Sequence, residues 1–177
     1  MELYFHSISN LTEARFAASV YPKYIGFCFD ESSPFYVSPL TFSKIQPWLT
    51  GATIVAQFGY TSAEKILETA QLLAFTVVEV PHDHPGLAKI MAQVEVVLQS
   101  NTPVSSAEIR VPFPPNEKHE PIPHAFYEMT QDLERNLEWI RNKAPYGIAL
   151  KGFGAESEPG MADLSVWSEL MEALEIL

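Results

Sequence analysis

Along residues 1–90, short apolar, β-branched or aromatic runs alternate with longer segments whose apolar positions recur at helical spacing, the rhythm of βα units around a parallel sheet. Leu3 to Ile8 reads as a strand, followed by Asn10 as an N-cap, Glu13 as its capping-box partner and a helix to about Val20. Tyr24 to Phe29 is a continuous apolar run suited to a strand buried on both faces. The helix after Ser38-Pro39 carries Leu40, Phe42, Ile45 and Trp48, which read as its packing positions. Thr53 to Phe58 opens the third unit, where Ser62 caps a helix with Ile66, Leu67, Ala70, Leu73 and Ala74 on one face; Thr76 to Val80 is the fourth strand.

From Gly86 to Tyr146 the rhythm degrades. Val94 to Gln99 and Ala107 to Phe113 read as strands, but the segments after them are too short or too rich in proline for ordinary helices. Pro112, Pro114, Pro115, Pro121 and Pro123 predict an extended loop over 112–124. Regularity returns with a strand at Phe126 to Thr130, a helix at Leu133 to Asn142, a strand at Ile148 to Lys151 and a closing helix at Leu164 to Leu177. Eight strands in βα order predict a (β/α)8 TIM barrel in a single domain over residues 1–177. It is trimmed, because such barrels usually need about 200 residues or more, and the crossover helices after strands 5 and 6 are short or absent. An open sheet is the alternative.

Composition narrows the function classes. Asp and Glu number 22 against 11 Lys and Arg, a net charge of −11, so a nucleic-acid partner, which needs basic residues to displace phosphate counterions, is not expected. No apolar run reaches membrane-spanning length, and Met1-Glu2-Leu3-Tyr4 lacks the features of a secretory signal, so a soluble cytoplasmic protein without a membrane partner is expected. The single cysteine, Cys28, excludes an internal disulfide and reads as a small buried hydrophobe in its strand. Trp139 and Trp167 read as packing residues, and Asp132, Glu134 and Glu138 as the acidic start of a helix.

Several separated stretches then resemble the phosphoribosylanthranilate isomerase family. Phe5-His6-Ser7-Ile8-Ser9-Asn10-Leu11-Thr12-Glu13-Ala14 is similar to its I-C-G-I-T-N-x-x-D/E-A pattern. Gly26-Phe27-Cys28-Phe29 and Ser33-Pro34-Phe35-Tyr36-Val37-Ser38-Pro39 resemble its G-F-x-F and S-P-R-Y-V-S-P stretches. Val55-Ala56-Gln57-Phe58 resembles the third strand, and Gly154-Ala155-Glu156-Ser157-Glu158-Pro159-Gly160 the G-V-E-S-x-P-G turn near the chain end. The resemblance covers about the first 85 and last 35 residues. It implies a TIM barrel, an Amadori rearrangement in tryptophan biosynthesis, a sugar-phosphate ligand and no cofactor or metal.

The same resemblance places substitutions at the chemistry. The base, a cysteine in the first-strand motif, corresponds to His6, with Ser7 in place of glycine; the acid, an aspartate ending the sixth strand, has no counterpart, since no aspartate occurs between Asp83 and Asp132. His6 as base, with Glu79 or Glu128 as acid, is the candidate catalytic set if the chain is an isomerase. The arginine that clamps the anthranilate carboxylate corresponds to Phe35, and the seventh-strand glycine pair that approaches phosphate corresponds to about Met129-Thr130. Gly152 and Gly154 form either a tight turn or half of an anion cradle. Ser7, Phe35, His82, Gly152 and Gly154 are the candidate ligand-binding residues. His82, Asp83 and His84 follow the fourth strand and have three readings: a metal site shared with His6, a polar pocket wall, or a solvated loop. Two classes follow: an isomerase, or a noncatalytic barrel that holds a less charged small ligand or a protein partner.

Overall fold

The computed structural model describes residues 1–100, 108–111, 120–154 and 163–177. Eight parallel strands close a barrel in sequence order: β1 (Glu2–His6), β2 (Tyr24–Cys28), β3 (Thr53–Gln57), β4 (Val77–Pro81), β5 (Glu95–Gln99), β6 (Glu108–Val111), β7 (Ala125–Glu128) and β8 (Gly147–Lys151). Closure comes from β8 pairing with β1, Glu2 opposite Gly147 and His6 opposite Lys151. The open-sheet alternative is thereby excluded.

Side chains alternate sides along each strand. Phe5, Phe27, Ala56, Val78, Leu98, Ile109 and Ile148 face outward into the main apolar core under the helices. Tyr4, Tyr24, Val55, Val77, Val97, Phe126 and Ala149 face inward and fill the bore. Gly147 makes this filling possible, because a Cβ there would stand 2.6 Å from the Phe126 ring.

Helices α1 (Leu11–Ser19), α2 (Pro39–Ile45), α3 (Ala63–Leu72) and α5 (Leu133–Lys143) start at side-chain caps, with Asn10, Ser38, Ser62 and Asp132 each accepting a backbone N–H. The crossover after β4 is one short helix, α4 (Leu87–Met91), and α6 (Ser165–Ala173) closes the chain. Among the described residues no helix lies between β5 and β6 or between β6 and β7. The proline-rich stretch 112–119 and the turn residues 155–160 lie outside the described residues.

Two packing expectations are corrected. Leu40 is 70% exposed and Trp48 is 52% exposed. Helix α2 buries Phe42 and Ile45, and Leu40, two residues before Phe42, falls off that face. At Pro47 the chain tightens into a 3-10 turn over Gln46–Trp48, which carries the indole outward under the Arg15 guanidinium, 4.9 Å away. Trp139 and Trp167 are buried as expected.

Candidate functional site

The mouth of the barrel follows from the same alternation. Two residues beyond the inward Tyr4, Val55, Val77, Phe126 and Ala149 stand His6, Gln57, Glu79, Glu128 and Lys151, so the layer above the apolar filling is polar. Arg110 of β6 joins this layer and organises it. Its Nε and Nη2 donate to the two Glu79 carboxylate oxygens at 3.0 and 2.8 Å, and Nη1 donates to Glu128 Oε2 at 3.0 Å. Tyr4 OH donates to Glu79 Oε2 at 2.8 Å, and Gln57 Nε2 donates to Glu79 Oε1 at 2.9 Å. Gly26 leaves room for this arrangement, since a Cβ would stand 2.8 Å from Tyr4 Oη and 2.9 Å from Gln57 Cδ.

The electrostatics follow from burial and from Arg110. Burial alone would raise the Glu79 carboxyl, but the guanidinium outweighs it and holds Glu79 below the usual carboxylate range. Glu128 is held down against its own burial by His6 and Arg110. Burial and then the Arg110 charge push the His6 imidazole down to about 4, so it is neutral at pH 7. Its Nδ1 lies 3.1 Å from Ser7 Oγ, while Nε2 lies 3.4 Å from Glu128 Oε2 and makes no hydrogen bond. Ser7 has a left-handed backbone, φ +55°, and its N–H donates to Gln57 Oε1 at 2.7 Å. His6, Ser7, Glu79 and Glu128 are therefore one connected group.

The amides beside β7 and β8 are engaged within the chain. Gly152 N donates to His6 O at 2.8 Å and Phe153 N to Glu13 Oε1 at 2.7 Å. The buried Glu13 also accepts from Ser9 N at 3.1 Å, so its carboxylate ties the β1–α1 turn to the end of β8. Gly152 must be glycine, because a Cβ would stand 2.4 Å from Ser7 O. Met129 N donates to Ala149 O at 2.9 Å and Thr130 N to Asn136 Oδ1 at 3.1 Å.

Beside these groups a cavity of about 380 Å³ opens against β7, β8 and α6. Phe35, Phe153, Trp167 and Leu170 give it apolar walls, and Glu128 and Lys151 line it with charge. Phe35 lies near Gly154, whose backbone has φ +96°, and the Lys151 ammonium stands 4.8 Å from the Phe35 ring.

The histidines after β4 do not join this group. His84 is buried; its Nδ1 accepts from Gly86 N at 3.0 Å, which leaves Nε2–H to donate to Thr61 O at 2.8 Å. It is a loop fastener rather than a solvated residue. His82 is exposed, with Nδ1 3.3 Å from Gln99 O, and Asp83 accepts from Tyr60 OH at 2.8 Å. Among the described residues no three His, Cys, Asp or Glu side chains are grouped to hold a metal ion. No described helix is long and apolar enough to cross a membrane.

Sequence reading missed Arg110, the residue that holds the mouth together. Its signal was present: Ile109-Arg110-Val111, Val78-Glu79-Val80 and Tyr127-Glu128 each place one charge inside an apolar strand. Buried lone charges on neighbouring strands at the same alternation phase must be partners, since an unpaired one would not stay charged.

No family model and no curated protein matches the chain. Solved structures do. The phosphoribosylanthranilate isomerase of Thermotoga maritima superposes with a TM-score of 0.77 at 19% identity, covering 100% of both chains. TrpF from Jonesia denitrificans gives 0.76 at 17%, covering 99% of this chain and 97% of that one. The Thermus thermophilus isomerase gives 0.71 at 17%, covering 99% and 98%. With its closed eight-stranded barrel superposing over nearly the whole of each chain, it has the barrel fold of the phosphoribosylanthranilate isomerases.

Proposed function

We propose that the chain is a divergent phosphoribosylanthranilate isomerase-like barrel that holds a small ligand at its mouth and does not catalyse the Amadori rearrangement. The observation that carries this reading is the bonding of Arg110 to both Glu79 and Glu128. An acid must deliver a proton, and Glu79 is held ionised by the guanidinium, Glu128 by His6 and the guanidinium together. The engaged amides of Gly152, Phe153, Met129 and Thr130 add support, because a phosphate cradle needs free N–H groups. Loss of one acid–base partner typically removes about 10² to 10⁴ in rate. The test is a fluorescence assay with phosphoribosylanthranilate. No turnover above background is expected, and turnover within tenfold of an ordinary family member would overturn the reading.

A second reading, an active isomerase of tryptophan biosynthesis with His6 as base, is favoured by one feature, the buried Nε2 that makes no hydrogen bond on a neutral imidazole. In that case the rate depends on deprotonated His6 with a pKa of about 4 and is already flat above pH 6. His6→Ala abolishes it.

A further inference from the structure

We propose that the cavity beside β7 and β8 binds a zwitterionic amino acid with an apolar side chain, its ammonium toward Glu128, its carboxylate toward Lys151 and its side chain against Phe35, Phe153 and Trp167. The inference rests on the reading of the mouth as a noncatalytic ligand site and names the ligand class. Three features of the cavity carry it.

The first is charge of both signs. Glu128 Oε2 is taken by Arg110, while Oε1 accepts no hydrogen bond among the described residues. Lys151 makes no ion pair among the described residues and stands over the Phe35 ring. The second is spacing. Glu128 pairs with Ala149, and Lys151 lies two residues on, about 7 Å further along the strand. One acceptor and one donor therefore line a single cavity at different heights. The third is the wall: Phe35, Phe153, Trp167 and Leu170 offer apolar surface and no further charge.

A dianionic ligand suits this site poorly. Among the described side chains at the strand ends, two carboxylates, Glu79 and Glu128, stand against two cations, Arg110 and Lys151, with His6 neutral, so their sum is near zero. A ligand with one charge of each sign matches that sum and both lining groups.

Titration calorimetry of the intact chain at pH 7 tests the proposal with six probes: L-phenylalanine, L-leucine, 3-phenylpropanoate, phenethylamine, inorganic phosphate and ribose 5-phosphate. L-phenylalanine is expected to bind with Kd of about 1 mM or tighter. Phenylpropanoate and phenethylamine, each lacking one charge, should bind at least about tenfold more weakly, the loss expected from one charged hydrogen bond. Lys151→Met, at an exposed position, should weaken L-phenylalanine about tenfold and leave phenethylamine unchanged. Glu128→Gln should weaken L-phenylalanine and not weaken phenylpropanoate. Absence of binding by both amino acids, equal binding of phenylpropanoate, or tighter binding of phosphate or ribose 5-phosphate overturns the inference. If the amino acids fail and phosphoribosylanthranilate is also not turned over, only the inference falls; turnover removes the noncatalytic reading itself.

Discussion

The two ends of the barrel bore are both closed by charge, and both closures hang on β6. At the entry end of the strands Glu108 holds the Lys23 ammonium and accepts from Tyr146 OH at 2.8 Å. At the exit end Arg110, two residues further on, holds Glu79 and Glu128. The side chains differ in exposure: Lys23 is 32% exposed, Arg110 only 7% and Glu79 4%. Water screens the first cluster, and nothing but the protein satisfies the second. An ion pair of the first kind contributes little, whereas one member of the second cannot be removed without leaving a bare charge in a dry interior. The exit end is also where barrels of this kind build their active sites, and there Arg110 and Glu79 are taken up by each other.

The largest effect that this contrast predicts is that of Arg110→Met. It leaves two carboxylates without their cation, one of them buried with only Tyr4 OH and Gln57 Nε2 to bond it, and breaking a buried pair in this way destabilises by about 3 to 5 kcal/mol. For a chain of this length the melting temperature should fall by roughly 10 °C, read by calorimetry at pH 7. The deficit should shrink toward pH 4, because without the guanidinium burial raises the Glu79 carboxyl and the folded variant takes up protons. A variant as stable as the parent would show that the two ends are energetically alike.

Next in size is a pH dependence that the exit end carries through His6. His6 titrates near 4 in the folded chain and near 6.5 when unfolded. Between these values the unfolded chain binds more protons, so stability rises with pH there, is complete above about 6.5, and is lost as pH falls toward 4. The shift corresponds to roughly 3 kcal/mol. Urea unfolding at intervals from pH 4 to 7 should show this slope, and His6→Gln should flatten it relative to the parent. An equal slope in the variant would place the titration elsewhere.

These groups also mark how far the sequence is readable. The strands, the helix starts at Asn10, Ser38 and Ser62, and the absence of helices between β5 and β7 among the described residues were legible because they depend on local periodicity and on one residue's bond to its own neighbours. The substitutions at His6 and Phe35 were legible through resemblance. Arg110 was not, because its role exists only once β4, β6 and β7 are brought side by side, and a charge inside an apolar strand has no local partner to announce it. His84 was unreadable for a similar reason: what buries it is the Thr61 carbonyl of another loop. Trp48 failed locally, since extending helical spacing through Pro47 ignores the donor that proline removes.

The smallest effect belongs to the entry end. Lys23→Met removes an ammonium bonded to Glu108 and to Tyr146 OH, 2.9 Å away, and seated beside the Tyr24 and Tyr146 rings, 5.2 and 5.5 Å from their centroids. The methionine can keep most of the contact with the rings, and Glu108 retains the Tyr146 hydroxyl. A pair this exposed contributes on the order of 1 kcal/mol or less, which is about 2 to 4 °C in melting temperature. Because the charges are reached by solvent ions, 1 M NaCl should narrow the gap between parent and variant, while the Arg110→Met gap should persist in salt. If Lys23→Met destabilises as much as Arg110→Met, or if salt leaves its gap unchanged, water does not distinguish the two ends of the bore, and the exit network loses its claim to be the tighter closure.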